Sequence, residues 1–304
     1  MKKKIYVFTD CDLDGAGSYL MFKWFVGDYI PYKIVRVNDF GEVFKNWYPR
    51  NKGKYDMIYI LDLDVSQECL NLVDQENITI IDHHKTHVDN KHKYKKAKHV
   101  IQEYPSCTKL LYNIFSKKYK KTLTDEQKLM VLYINDYDCY ELKHKNSYNL
   151  NVIYWNYQGD RLARFLDDFG NGFSGFSDDQ KRTIQYKNDK FNSIQKNLDV
   201  HIANKVPIGE YKLKLVSVFA DSFINEVADH IIQNYKADIG FVVNLKSKKV
   251  SMRKSKKCDV DLGHLAQKLF EAGGGHEYAA GGIINEKFMT FTKLFKPIEI
   301  KIGS

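Results

Sequence analysis

Short apolar runs alternate with longer amphipathic stretches through the first half of the chain. Ile5–Thr9, Ile34–Val37, Met57–Leu61 and Ile78–Ile81 are brief and rich in β-branched and aromatic residues, the pattern of buried strands. Between and after them, Gly15–Val26, Ser106–Lys117 and Asp125–Asn135 place apolar residues at helical spacing. Strand–helix alternation predicts an α/β fold with a doubly wound, mostly parallel sheet and right-handed crossovers. From Asp178 to Asn204 the chain is polar and free of Gly and Pro, which predicts a long connecting helix. Beyond Pro207 the character changes. Tyr211–Phe219, Ala237–Asn244 and Lys249–Arg253 read as strands and Ser222–Asn234 as a helix, a smaller α/β domain with a mixed sheet. The expected division is a first domain over 1–180, a helical linker over 181–204 and a second domain over 205–304.

Composition supports a folded chain. Of 304 residues, 43% are hydrophobic and 14% aromatic, enough to fill real cores, and this excludes wholesale disorder. No apolar run approaches the roughly 18 residues of a membrane span. The stretch after Met1–Lys4 meets Asp10 too soon for a signal-peptide core. The five cysteines, at 11, 69, 107, 139 and 258, form no CxxC pair, as expected of free thiols in a reducing, cytoplasmic setting. The net charge of +9 concentrates in Lys91–His99, Lys117–Lys121 and Lys246–Lys257, which read equally as solvated surface or as a track for phosphate-bearing ligands. With six Arg against 41 Lys, an individual Arg is the stronger clue.

Acidic residues gather where the apolar runs end. Ile5–Thr9 leads into Asp10-Cys-Asp12-Leu-Asp14-Gly15, Met57–Leu61 into Asp62-Leu-Asp64, and Ile78–Ile81 into Asp82-His83-His84. A fourth apolar stretch, Leu129–Ile134, ends in Asn135-Asp136-Tyr-Asp138 and counts as a fourth such end. A calcium EF-hand loop fails for the first group, because its twelfth position is Met21 and a strand precedes it. A helix cap explains one Asp but not three. In parallel α/β sheets ligands bind beyond the carboxyl ends of the strands, so the four groups are expected to converge. Converging carboxylates repel unless a cation lies among them. A carboxylate-rich set with His suits Mn²⁺ or Mg²⁺ better than Zn²⁺, and so many ligands suit two ions sharing an Asp. Such a pair activates water for in-line attack on a phosphate ester. No GxxxxGK[ST] loop is present. In the second half, Val250–Ser255 presents Arg253, and Gly273-Gly-Gly275-His276 offers backbone N–H groups and an imidazole to an anion.

Taken in order, these residues resemble the DHH-family phosphoesterases with their associated C-terminal domain, over nearly the whole chain. Asp10–Gly15 resembles the first motif, Asp62 the second, Asp82-His83-His84 the name-giving third and Asp136 the fourth. Ser251–Ser255 and GGGHEYAAGG resemble the signature of the associated domain. The resemblance implies two domains facing a cleft and two Mn²⁺ (Mg²⁺ or Co²⁺ as alternatives) held by Asp12, Asp14, Asp62, His83 and Asp136, with Asp62 bridging. Asp10 joins this set because the His that many members carry before the motif is Phe8 here; Asp64 rivals Asp62. Asp82 and His84 would orient His83 or contact phosphate. Arg253, Gly274, Gly275 and His276 would grip a substrate phosphate or terminal nucleotide. His87, His92 and His99 read as basic surface, and Tyr137, Tyr140, Trp155 and Tyr157 as core aromatics that could also stack bases.

The expected activity is a metal-dependent exonuclease, acting as a monomer or homodimer, that cleaves short or single-stranded DNA or RNA to mononucleotides. Close alternatives are a cyclic-dinucleotide phosphodiesterase and a phosphoadenosine-phosphate phosphatase. A non-catalytic nucleic-acid-binding protein is the alternative of another class.

Overall fold

The computed structural model describes residues 3–27, 29–66, 69–275 and 277–284. The chain divides into two compact units, 1–184 and 185–304. The first runs β1 (Ile5–Thr9), α1 (Leu13–Phe25), β2 (Tyr32–Ile34), α2 (Val37–Asn51), β3 (Met57–Leu61), α3 (Leu70–Val73), β4 (Ile78–Asp82), α4 (Lys85–Asn90), β5 (Lys98–Ile101), α5 (Cys107–Tyr119), α6 (Asp125–Asp138), α7 (Lys145–Asn156) and α8 (Arg161–Phe169). Helix α9 (Asp178–Gln195) begins in this unit and ends in the next.

The five strands are all parallel, in the order β2-β1-β3-β4-β5. Alternate residues of each strand point to opposite faces. Val7, Leu61 and Ile81 join Leu20, Leu111 and Phe165 of α1, α5 and α8 on one side. Phe8, Ile60 and Ile80 join Phe40 and Phe44 of α2 on the other. Both faces are therefore buried, which is why the strands read as continuous apolar runs. Strand order reverses between β1 and β3, since β2 lies to one side of β1 and β3 to the other. The carboxyl ends of β1 and β3 thus frame the switch-point crevice in which such sheets bind ligands.

The second unit continues with β6 (Val200–Ile208), β7 (Tyr211–Phe219), α10 (Ile224–Tyr235), β8 (Ile239–Asn244), β9 (Lys249–Lys254), α11 (Leu262–Leu269), β10 (Glu271–Gly275) and β11 (Ala279–Ile283). Its mixed sheet has the order β10-β11-β9-β8-β7-β6, with β7 and β8 parallel and the other pairs antiparallel. Leu215, Phe241 and Met252 pack with Leu262 and Phe270 in one core, and Val216, Val218 and Val242 with α10 in another. Among the described residues no helix is long and apolar enough to cross a membrane.

Several elements differ from the pattern reading. The apolar run Ile34–Val37 is shared between the end of β2 and the start of α2. The helix expected to reach Asn204 stops at Gln195, and β6 pairs with β7 from Val200 onward. Strand β5 lies inside the basic run Lys91–His99 and beyond, with Lys98 and His99 exposed on the sheet edge, where charged side chains oppose pairing with another chain. The fourth acidic group lies in the last turn of a helix, α6, and not after a strand.

Candidate metal centre

The loop after β1 turns at once into α1. Asp12 is the N-cap, its Oδ1 accepting from the Gly15 N–H at 2.8 Å. A Cβ on Gly15 would fall 2.3 Å from the Asp10 carbonyl oxygen, and one on Gly17 2.3 Å from Thr108 Oγ1. Glycine at these two positions lets the loop fold back and lets α1 approach α5. That approach carries Asp14 to the amino end of α5, where its Oδ2 accepts from Cys107 N–H (2.6 Å) and its Oδ1 from Thr108 N–H (2.9 Å). The end of a helix stabilises the carboxylate there. Tyr154, fully buried on α7, donates its hydroxyl to the Cys11 carbonyl at 3.0 Å and pins the same loop.

Asp62 ends β3 in a left-handed backbone conformation (φ 56°), one rarely adopted by residues other than Gly and a form of strain found at functional sites. It is 2% exposed, and its Oδ1 has no hydrogen-bond partner. Asp82 and His83 follow from β4. His83 Nδ1 lies 2.9 Å from the Tyr104 carbonyl oxygen, an acceptor only, so Nδ1 donates there and Nε2 is the nitrogen that faces the pocket. That Nε2 faces Asp62 Oδ1 at 3.4 Å, Asp138 Oδ2 at 3.5 Å and Asp14 Oδ2 at 3.7 Å. Three carboxylates so close together repel one another unless a cation lies among them. Burial, with the charges of Asp14 and Asp12, pushes Asp62 and Asp138 well above the usual carboxylate range. Burial and Asp14 raise Asp12 as well.

The donors form two groups that share His83, one of Asp62, His83 and His84 and one of Asp14, His83 and Asp138, each with its ligand atoms within 4.8 Å of one another. The orphaned Asp62 oxygen and the all-carboxylate and imidazole chemistry fit hard divalent cations.

Asp136 behaves differently from the expectation. Its Oδ1 accepts from Lys143 N–H (3.0 Å), and its Oδ2 from His144 N–H (3.0 Å) and the Ser147 hydroxyl (2.6 Å), so the carboxylate is engaged in holding the turn into α7. Two residues along a helix turn through about 200°. Asp138 therefore reaches His83 while Asp136 points away. Asp64, the rival of Asp62, accepts from Ser66 N–H and hydroxyl and from the Thr86 hydroxyl. Asp10 accepts from Cys11 N–H at 2.6 Å. It lines a pocket of about 310 Å³ with Asn38, Phe40, Asp62, Val65 and His84, and burial together with Asp12 pushes it up to about 7.

Behind His84 lies a chain of buried groups that includes His87, a residue expected on the basic surface. His84 Nδ1 donates to Asp82 Oδ1 at 2.8 Å, and His87 Nδ1 donates to Asp82 Oδ2 at 2.6 Å. The Tyr94 hydroxyl donates to His87 Nε2 at 2.7 Å. His87 is fully buried. The signal available in the sequence was its spacing, one short helical turn after His84, which folds it back under Asp82. Burial opposes the charge of Asp82, but His84 and His87 outweigh it and hold the carboxyl far below its usual range. Burial likewise opposes a charged His84, yet Asp82 and its hydrogen bond push it up to about 10. His87→Ala leaves a buried carboxylate short of one partner, and a loss of about 3–5 kcal/mol in urea denaturation is expected. An unchanged midpoint would contradict this role for His87.

In the second unit Arg253 lies on β9, its Nη2 donating to Asn225 Oδ1 at 2.7 Å and its Nη1 to the Met252 carbonyl at 3.1 Å. Gly274 and Gly275 lie on β10 and pair with Gly281 and Ala280 of β11. β11 in turn pairs with β9, so the Arg strand and the glycine hairpin share one edge of the sheet. His276 lies outside the described residues. His92 is exposed, as expected, with Nδ1 donating to the Asp89 carbonyl.

Two family models match the chain, one in each half. The model of the DHH family, N-terminal domain, matches residues 4–134, and that of the DHHA1 domain matches residues 216–298. A search of curated protein sequences finds no match. Among solved structures, the fold is shared with a pGpG-specific phosphodiesterase, PggH, from Vibrio cholerae, at 15% identity over 95% of this chain and 96% of that one (TM-score 0.58). RecJ in complex with Mn²⁺ from Thermus thermophilus shares it at 13% identity over 96% of this chain and 51% of that one (TM-score 0.56). An exopolyphosphatase-related protein from Bacteroides fragilis shares it at 15% identity over 96% and 91% (TM-score 0.52). Fold and motifs together define a metal-dependent hydrolase of phosphate esters. The chain belongs to the DHH family of phosphoesterases.

Proposed function

We propose that the protein is a Mn²⁺-dependent phosphodiesterase that releases mononucleotides from very short single-stranded oligonucleotides, with Asp12, Asp14, Asp62, His83 and Asp138 holding two divalent ions. The observation that carries this reading is the convergence of three carboxylates on His83 Nε2 at 3.4–3.7 Å, one of them the orphaned Asp62 oxygen. Bound divalent ions supply Lewis-acid polarisation of a phosphoryl oxygen and a water acidified to near neutral pH.

The chain's own residues hold that arrangement still. Cys107 and Thr108 N–H fix Asp14, Tyr104 fixes the His83 tautomer, and the strained backbone at Asp62 aims its free oxygen inward. His84, kept protonated at neutral pH by Asp82, donates a proton or hydrogen bond to a phosphoryl or leaving oxygen. In the second unit, Arg253, Gly274 and Gly275 are the residues expected to bind phosphate.

The preference for short substrates is supported by the fold shared with the pGpG-specific phosphodiesterase. The test is incubation with Mn²⁺ and a panel of 2–20-mer DNA and RNA, cyclic dinucleotides and phosphoadenosine phosphate, with products read by mass. Mononucleotides from 2–5-mers at rates at least tenfold above a 20-mer are expected. Turnover of cyclic dinucleotides or phosphoadenosine phosphate alone would replace this reading with one of the alternatives.

A further inference from the structure

Arg161 opens α8 and lies against two aromatic rings. Its guanidinium carbon is 4.4 Å from the Trp155 ring centroid and 5.6 Å from that of Tyr154. Its Nε is buried without a hydrogen-bond partner, and no carboxylate among the described residues pairs with it. Arg182, by contrast, pairs with Asp179, and Arg253 bonds Asn225. In a chain with six Arg and 41 Lys, a guanidinium stacked on an indole and left without an anion calls for an explanation.

Position supplies one. Tyr154, the lower ring of the stack, is the residue whose hydroxyl holds the Cys11 carbonyl between Asp10 and Asp12. Its hydroxyl is pushed upward by burial and by the charge of Asp12, while Arg161 pulls it down, so all three share one electrostatic neighbourhood. Trp155 is 46% exposed, whereas Trp24 is buried and Trp47 packs against Tyr6, Phe8 and Tyr55. Of the other aromatics considered for base stacking, Tyr157 is tied to Asp168, and Tyr137 and Tyr140 stand edge to face.

We propose that Trp155 and Arg161 form a nucleotide subsite beside the catalytic loop. An unpaired base stacks on the exposed indole, and the phosphate next to the scissile one pairs with the Arg161 guanidinium. This subsite rests on the phosphodiesterase reading and extends it to how a second nucleotide is held. It accounts for a chemical preference the metal cluster alone does not provide, a nucleotide over a plain phosphodiester.

Two measurements test it. The first needs no turnover. Tryptophan emission of the wild-type protein is titrated with a single-stranded dinucleotide in Ca²⁺, and in parallel with an abasic dinucleotide of the same charge. Saturable quenching by the dinucleotide, absent in Trp155→Phe and at least about fivefold weaker with the abasic analogue, is expected. Equal quenching by both, or quenching that survives in Trp155→Phe, would overturn the subsite. The second compares kcat/KM for a dinucleotide with that for bis(p-nitrophenyl) phosphate in the same preparation. The ratio is expected to fall about tenfold in Trp155→Leu and in Arg161→Gln, mainly through KM, and to recover in part in Arg161→Lys. A ratio within twofold of wild type in both variants would also overturn it. Loss of hydrolysis of every phosphodiester by the wild-type protein would instead overturn the phosphodiesterase reading, and the quenching result would still stand or fall alone.

Discussion

Asp62→Asn is expected to lower the turnover of a dinucleotide in Mn²⁺ by about a hundredfold or more, without unfolding the protein. The side chain keeps its size, and its Oδ1 has no hydrogen bond to lose. What it loses is the negative charge with which Asp62, 3.4 Å from His83 Nε2, would hold a cation. Removing even an outer partner of a metal ligand costs about 10–100-fold, so loss of a residue that would itself hold an ion sets a floor at the upper end of that range. Because Asp62 is repelled by Asp14 and Asp12, the neutral Asn is expected to leave the melting temperature of the metal-free protein equal to or above that of wild type. An active Asp62→Asn enzyme would remove Asp62 from the centre. An inactive one that also melts much earlier would assign the residue to folding instead.

The same repulsion predicts an unusual pH dependence for the metal-free protein. Asp10 is raised to about 7 by burial and Asp12, and Asp12, Asp62 and Asp138 are raised in the same direction. For a carboxyl whose folded value exceeds its unfolded value, near 4, the stabilising contribution is complete below about pH 4. It is lost as pH rises through the folded value. Asp82 and Asp136 have the opposite sign, but their contribution is present above about pH 4 and falls away only in more acid solution. His84, raised to about 10, adds a loss between about pH 6.5 and 10. The metal-free protein is therefore expected to lose stability from pH 4.5 to 7.5. Saturating Mn²⁺, which binds the ionised carboxylates, should restore it most strongly at the upper end. At about a thousandfold over Kd the gain is about 4 kcal/mol, a rise in melting temperature on the order of 10 °C at pH 7.5 that shrinks toward nothing at pH 4.5. Differential scanning calorimetry across that range checks it. A metal-induced shift that is the same at both ends would show that the carboxylates are not the ligands that titrate.

The parts of the site visible in the sequence are those fixed by strand ends. Asp10, Asp12, Asp14, Asp62, Asp82 and His83 follow apolar runs that are strands, and a parallel sheet obliges their carboxyl ends to meet. Asp138 was not legible, because Leu129–Ile134 belongs to α6, where alternate residues diverge. Choosing between Asp136 and Asp138 depends on which backbone amides lie ahead in the chain. His87 was missed for a related reason. A histidine in a Lys-rich segment has the composition of surface, and only the turn of α4 beneath Asp82 buries it. Strands β5 and β6 were missed because they lie at sheet edges, where exposed polar residues hide the alternation. The start of helix α2 is hidden in the same way, because Val37 closes an apolar run that has the pattern of a strand.

The central claim is that these acidic groups work by holding divalent cations against a phosphodiester. The most direct measurement is the initial rate of dinucleotide hydrolysis by wild-type protein dialysed exhaustively against chelator, before and after Mn²⁺ is added back. The account predicts a rate at background after dialysis and full recovery with Mn²⁺. A dialysed protein that hydrolyses the dinucleotide at its original rate would contradict it.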